Sequence, residues 1–258
     1  MKAITTSILA CITGAMSLTA CGQQPKATDN IAKPDGFAVL ELFTSEGCSS
    51  CPPADEALAA VQKATEGKPV YILAFHVDYW NTLGWKDRYS NADFSKRQRR
   101  YGDLLNAQVY TPQLVVNGET EFVGSDLGAI NSSLSKQLSV APNPNLSLQV
   151  SQTGETVQVH YKANQPAKGS YLQIAIVQKD AQTKVERGEN AGHTLSHVQI
   201  VRKLQTLPLN MAESDVKIAL PKEINGQAWE VIGLIQDEST GKIWGAAKAA
   251  PNTGIAGK

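Results

Sequence analysis

Two cysteines separated by two residues, Cys48 and Cys51, carry the strongest chemical signal in this 258-residue chain. A thiol pair at that spacing can exchange a disulfide with a partner, keep one permanently, or supply half of a zinc site. The neighbouring residues say where the pair sits. The apolar run from Phe37 to Phe43 fits a buried strand, and beyond Pro52-Pro53 the residues Ala57, Leu58, Val61 and Ala64 recur at helical spacing. Gly47 permits a tight turn, prolines are tolerated in a first helical turn, and Asp55 and Glu56 suit its positive end. The order strand, CxxC, helix puts a dithiol at a helix N-terminus. Unsatisfied amides and the helix dipole there stabilise a thiolate, lowering the first cysteine's pKa from about 8.5 to between about 3.5 and 7.5. Cys48 is therefore the expected nucleophile. Cys51, one turn further on and facing inward, is expected to attack a mixed disulfide and release the partner. The spacing alone leaves a fixed disulfide and a zinc half-site open.

Around the pair lie weaker candidates. Glu41 and Glu46 are placed to move protons to or from Cys51 or to tune the thiolate. His76 and Asp78 end a second apolar run, residues 69–77, at the same end as the dithiol, either as acid/base groups or as hydrogen-bonding supports beneath a loop. Tyr79, Trp80, Leu83 and Trp85 fit a docking surface or, more simply, a small satellite core. The cations from Lys96 to Arg100 read as a wet helix face, with contact to phosphate or lipid headgroups as the alternative. His193 and His197 share a face for metal binding only if their segment is helical.

The elements that must position these residues follow from periodicity. Strand, helix and strand over residues 37–77 make a βαβ unit with a parallel pair. A helix over residues 91–106 takes Asn91 as cap, with Phe94, Tyr101, Leu104 and Leu105 on one side and Lys96, Arg97, Arg99 and Arg100 mostly on the other. Pro112 opens a strand, Asn117-Gly118 turns it into a hairpin, and Ser125 caps a closing helix carrying Leu127, Ile130, Leu134 and Leu138. Ala141-Pro142-Asn143-Pro144-Asn145 is a break. Alternation then dominates residues 145–250, at Leu146/Leu148/Val150, Val157/Val159/Tyr161, Ile174/Ile176, Val216/Ile218/Leu220 and Trp229/Val231, as in an antiparallel β-sandwich. The stretch from Val185 to Arg202 reads as a loop packed against the first half, closing one wall of the dithiol cleft.

At the other end, residues 1–20 begin with Lys2, run through Ile4, Ile8, Leu9 and Ile12, and end in Leu18-Thr19-Ala20 before Cys21. That is an export signal, too short and too rich in Ser, Thr and Gly to span a bilayer. Residues 21–36 are poor in apolar groups and read as a flexible tether. The 24 Lys+Arg against 24 Asp+Glu give zero formal charge, which makes nucleic acid an unlikely partner class; 42% hydrophobic and 19% charged residues exclude a disordered chain.

Two resemblances refine this reading. Leu18-Thr19-Ala20-Cys21 resembles the lipobox of bacterial lipoproteins, which implies cleavage before Cys21 and diacylation of its thiol. Gly22, in place of the Asp usual in lipoproteins retained at the inner membrane, points to the outer membrane. Cys11 then leaves with the signal, and Cys48 and Cys51 are the free thiols that remain. The β-CxxC-α-β-α opening with Thr-Pro before a hairpin resembles the thioredoxin superfamily over residues 37–140. That resemblance implies a cis Pro112 opposite the dithiol and a substrate-binding role for Thr111 and Pro112. The runs Phe43-Thr44-Ser45-Glu46-Gly47-Cys48-Ser49-Ser50-Cys51-Pro52-Pro53, Phe75-His76-Val77-Asp78-Tyr79-Trp80, Leu83-Gly84-Trp85-Lys86-Asp87 and Tyr110-Thr111-Pro112-Gln113 are similar to the exported thioredoxin-like family catalogued as domain of unknown function 1223. The chain departs from ordinary thioredoxins in lacking Trp before the first Cys and Gly-Pro between the pair, so a redox potential does not carry across.

The expected architecture is thus a signal peptide (1–20), a tether (21–36), an α/β thioredoxin-like fold (37–140) and an all-β, sandwich-like C-terminal domain (145–250). The expected activity is periplasmic thiol–disulfide exchange, in either direction, by a protein tethered through lipidated Cys21. It uses no cofactor or resident metal and acts on an envelope protein or a small thiol or disulfide. The alternatives are a non-enzymatic envelope binding protein with Cys48–Cys51 as a staple, and a metallochaperone binding soft Cu(I) at the dithiol with help from His76.

Overall fold

The periodicities above locate most elements where they form. The computed structural model describes residues 36–140, 146–164, 168–224 and 226–251. The signal segment, Cys21, nearly all of the tether and the break at residues 141–145 lie outside them. Strand β1 (Ala38–Thr44), buried at every position, leads to helix α1 (Pro52–Ala64) and parallel strand β2 (Val70–His76). Helix α2 (Ala92–Leu105) starts at Asn91, whose side chain accepts a hydrogen bond from the Asp93 amide. Strands β3 (Gln113–Val116) and β4 (Thr120–Val123) form the hairpin, and helix α3 (Leu127–Leu138) is capped by Asp126 rather than Ser125. Seven further strands follow: β5 (Leu146–Thr153), β6 (Thr156–Ala163), β7 (Ser170–Lys184), β8 (Thr194–Pro208), β9 (Glu213–Ala219), β10 (Trp229–Asp237) and β11 (Ile243–Ala249).

An α/β thioredoxin-like fold followed by an all-β, sandwich-like domain does not form. The described chain is mostly β, with three α-helices, and strands from both halves lie in one mixed eight-stranded sheet of order β11-β10-β7-β8-β2-β1-β3-β4. The remaining three strands make a small sheet, β5-β6-β9. The physical reason is an edge. Strand β2 pairs with β1 on one side, and its other side would leave backbone amides and carbonyls bare inside an apolar core. The 15-residue strand β8 fills that place, running antiparallel to β7 and meeting β2 in parallel at Ala74 and Ile200. Its first half, expected as a loop, carries the buried polar residues His197 and Gln199, which broke the apolar alternation.

The core is shared accordingly. On one face Phe43, Phe75, Phe94 and Tyr101 pack with Val177, Val201, Ile232 and Leu234 from the second half. Phe43 stacks on Phe75 at 5.5 Å, and Phe94 meets Phe75 edge-on at 5.2 Å. Helices α1 and α3 cover the opposite face of β1–β3 through Leu58, Ile130 and Leu134 against Leu40, Leu42 and Leu114. The small sheet lays Val150, Val157, Val159 and Tyr161 on Leu172, Ile174 and Ile176. The two hairpin tips also touch. Gly118, at φ +67°, lies so close that a Cβ there would stand 1.9 Å from the Gly241 carbonyl oxygen.

Candidate functional site

Cys48 and Cys51 are joined in a disulfide with their Cα atoms 5.4 Å apart. Cys51 is the N-cap of α1, and its carbonyl accepts from the Ala54 and Asp55 amides, so the pair closes across the helix N-terminus. Both cysteines are fully buried, whereas Ser49 and Ser50 between them are exposed. The Ser50 hydroxyl lies 3.4 Å from Cys48 Sγ and 3.4 Å from the Thr111 carbonyl oxygen. The Thr111–Pro112 peptide is cis, and the Trp80 indole donates to Thr111 Oγ1 at 2.8 Å. Thr111 and Pro112 therefore stand beside the dithiol.

The cover over the disulfide comes from the β7–β8 hairpin loop, residues 185–193. Asn190 is buried, and its amide nitrogen donates to the carbonyls of Glu46 (2.9 Å) and Cys48 (3.0 Å). Glu189 accepts from the Ser49 amide at 3.1 Å, and the Ser49 hydroxyl, together with that amide, holds its exposed carboxylate below the usual range. Sequence reasoning placed this stretch against the dithiol cleft but did not single out Glu189 or Asn190. Asparagine beside two glycines, Gly188 and Gly192, was the available sign of a built loop.

Behind the disulfide sits a buried polar cluster. Glu46 donates its backbone amide to Asp87 Oδ2 (2.9 Å) and accepts from the Trp85 indole (2.7 Å). The same Asp87 oxygen lies 2.6 Å from His76 Nδ1. Burial would raise the Asp87 pKa, but the facing His76 and the Glu46 and Tyr89 amides carry it below its ordinary value. From β8, His197 sends Nε2 to 3.5 Å from Glu46 Oε1 and Nδ1 to 3.5 Å from Asp55 Oδ2. At that distance these are ion pairs rather than good hydrogen bonds, and Glu46 Oε1 and both His197 nitrogens have no hydrogen-bond partner. Desolvation pulls the His197 pKa down, the two carboxylates overcome it, and the value is pushed up to about 9. His193 is exposed in the loop while His197 is buried, so the two histidines face different surroundings.

The other expected auxiliaries are placed elsewhere. Glu41 alternates with Leu40 and Leu42 and so points to the sheet face away from α1, where Arg97 Nε and NH2 grip its two oxygens at 2.6 and 2.9 Å. Arg97, expected on a wet helix face, is buried because it shares the side of α2 that carries Phe94 and Tyr101. Asp78 accepts from the Ser95 hydroxyl and ties the end of β2 to α2. Trp80 and Trp85 are half-buried and spend their indole N–H groups on the site; Tyr79 and Leu83 are exposed.

A CxxC disulfide closing across a helix start, roofed by a hairpin loop from the far half of the large mixed sheet, defines the class: a mostly β disulfide protein built on one eight-stranded sheet and a small three-stranded one. The chain belongs to the family described as "Protein of unknown function (DUF1223)", which it matches over residues 39–236. It is similar to the crystal structure of protein AGR_C_4864 from Agrobacterium tumefaciens, at 29% identity and a TM-score of 0.63 over 86% of this chain and 97% of that one. A β-glucuronidase from Ruminococcus gnavus, in complex with uronic deoxynojirimycin, aligns at 10% identity and a TM-score of 0.24 over 43% of this chain and 16% of that one, a likeness too low to carry an argument. Among curated proteins none matches the chain.

Proposed function

We propose that the chain is an exported thiol–disulfide oxidoreductase acting through Cys48 and Cys51. The observation that carries this reading is the closure of the dithiol across the α1 N-terminus, where backbone amides and the dipole favour a thiolate on the reduced pair. In the reducing direction the Cys48 thiolate attacks a partner disulfide and expels one partner thiolate, leaving a mixed disulfide. Cys51, as thiolate, then attacks Cys48 Sγ, forms Cys48–Cys51 and releases the second partner thiolate; the oxidising direction is the reverse. The sulfurs carry both electrons, so no cofactor takes part. Thr111 and Pro112 hold an extended envelope polypeptide, or a small disulfide, against the exposed Ser49–Ser50 edge. Access to the sulfurs requires the loop at Glu189 and Asn190 to lift.

The test is a glutathione titration with alkylation of free thiols. A potential between about −270 and −120 mV supports exchange, the reducing end favouring a reductase and the oxidising end an oxidase. Complete burial of both cysteines favours a second reading, a permanent staple in an envelope binding protein. A pair locked below about −300 mV hands it the lead.

The same proposal includes a lipid anchor at Cys21 on the periplasmic side, at the outer membrane. With two or three acyl chains the protein stays on the membrane, each buried methylene contributing about 0.8 kcal/mol. Cys21→Ser should move it from the membrane to the soluble fraction and abolish labelling by radioactive palmitate; a variant that stays membrane-bound removes the anchor from the proposal.

A further inference from the structure

At the other end of α1 from the dithiol, a cavity of about 390 Å³ opens between the C-terminal half of the helix, the start of β2 and strands β7, β8, β10 and β11. The 13 residues of α1 put its two ends about 20 Å apart, so this is a separate place in the fold. One residue there stands out. Gln199 lines the cavity, is only 5% exposed and holds φ +53°, a left-handed conformation that residues other than glycine adopt at a local cost. Around it β8 loses its alternation, with buried positions following one another at Gln199, Ile200 and Val201.

The Gln199 amide nitrogen donates to Glu230 Oε1 at 3.2 Å. A carboxylate only accepts, so the amide oxygen is the end turned away from it, and that oxygen has no hydrogen-bond partner. Glu230 lines the same cavity and is 7% exposed; its other oxygen lies 3.8 Å from Lys179 Nζ, too far for a good hydrogen bond. Two buried acceptors side by side on one wall call for donors. Charge selects among the donors. Lys63, Lys179 and Lys248 line the cavity against two carboxylates, Glu66 and Glu230. An amine cation would enter the field of three ammonium groups, and an anion would meet the free acceptors and satisfy neither. A hydroxyl both donates and accepts, so a neutral ligand carrying several answers the acceptors and the lysines together.

We propose that this cavity binds a neutral polyhydroxylated ligand, a saccharide, whose hydroxyls donate to Gln199 Oε1 and Glu230 Oε2 and accept from the lysine ammonium groups. The volume lies within the ordinary range of small-molecule sites, about 300–1,000 Å³. Binding there is independent of the redox state of Cys48 and Cys51, which stand at the opposite end of α1.

The experiment uses the full-length protein in a detergent without a sugar headgroup. Ligand-detected saturation-transfer NMR is titrated with maltotriose, mannotriose and triacetylchitotriose, and with glycylglycine and putrescine as zwitterionic and cationic comparisons. Four forms are compared: wild type, Gln199→Leu, which removes the free acceptor, Lys63→Ala at an exposed position on the rim, and Lys217→Ala on the exposed face of β9 as a control. Binding of at least one trisaccharide that weakens at least about tenfold in Gln199→Leu, about threefold in Lys63→Ala and not in Lys217→Ala supports the site. Binding of none of the three, an equal loss in Lys217→Ala, or tighter binding of glycylglycine or putrescine overturns the proposal. Lys63→Ala gives the same reading if Gln199→Leu does not fold.

Discussion

Replacing Arg97 with leucine is expected to lower the unfolding free energy by about 3–5 kcal/mol in urea titrations, the range for removing one partner of a buried ion pair. The cost comes from what is left behind. Glu41 is fully buried in the middle of β1, and among the described residues Arg97 alone offers it a positive charge, through two parallel donors at 2.6 and 2.9 Å. Arg97 also donates to Gln236 at 3.2 Å and lies 5.5 Å from the Phe75 ring centre. Burial works against the guanidinium's charge, and the facing carboxylate more than restores it. Arg97→Lys is expected to rescue little, because a point charge cannot meet both carboxylate oxygens in one plane. Glu41→Leu combined with Arg97→Leu should recover most of the loss, since the uncompensated charge is then gone. A cost under about 1 kcal/mol for Arg97→Leu would mean that the pair is not what holds α2 to the sheet.

The second large effect is a loss of stability on the alkaline side. His197 has a folded-state pKa of about 9, against an unfolded value near 6.5. A raised folded-state pKa means that the native state holds the proton more tightly. The stabilisation is therefore complete below about pH 6.5 and is lost as pH rises through about 9, amounting to roughly 3 kcal/mol. The groups facing the ring are Glu46 and Asp55 at 3.5 Å, and the His76 and Tyr89 rings at 4.9 and 5.7 Å between centroids. His197→Gln should flatten the stability curve between pH 6.5 and 9; a wild-type curve already flat there would defeat the assignment. Asp87 acts at the other end of the scale, because a depressed carboxyl pKa stabilises above its unfolded value and the contribution is lost only in acid.

Both predictions rest on residues that local patterns describe poorly. The strand leading into the dithiol, the helix after it, the Asn91 cap and the Asn117-Gly118 turn were legible because each is decided by neighbours within a few positions. So were β5, β6 and β9 of the second half, where buried and exposed positions alternate. The first half of β8 was not, since its inward positions hold His197 and Gln199, polar residues whose burial is tolerable only against groups far away in sequence. The same limit hid the mate of Glu41. A carboxylate inside an apolar strand announces that a cation must reach it, and Arg97 sits three residues after Phe94 and four before Tyr101 on one helical face. Reading that stripe as apolar with one charged member, instead of assigning all the cations to water, would have found the pair. For the dithiol site, Cys48, Cys51, Thr111 and Pro112 were named from sequence and do lie together. Asn190 and Glu189 arrive through a hairpin 140 residues away.

The join between β2 and β8, one parallel pair at Ala74 and Ile200, has a consequence for the order of assembly. Until the segment near residue 200 is free to pair, β2 has a raw edge and Phe43, Phe75 and Phe94 lack the half of their core that Val177, Val201 and Leu234 supply. Contacts so distant in sequence are slow to form, because a long loop must close before any of them contributes. The nascent N-terminal half is thus the stage at which this chain is most open to aggregation and has most need of a holding chaperone.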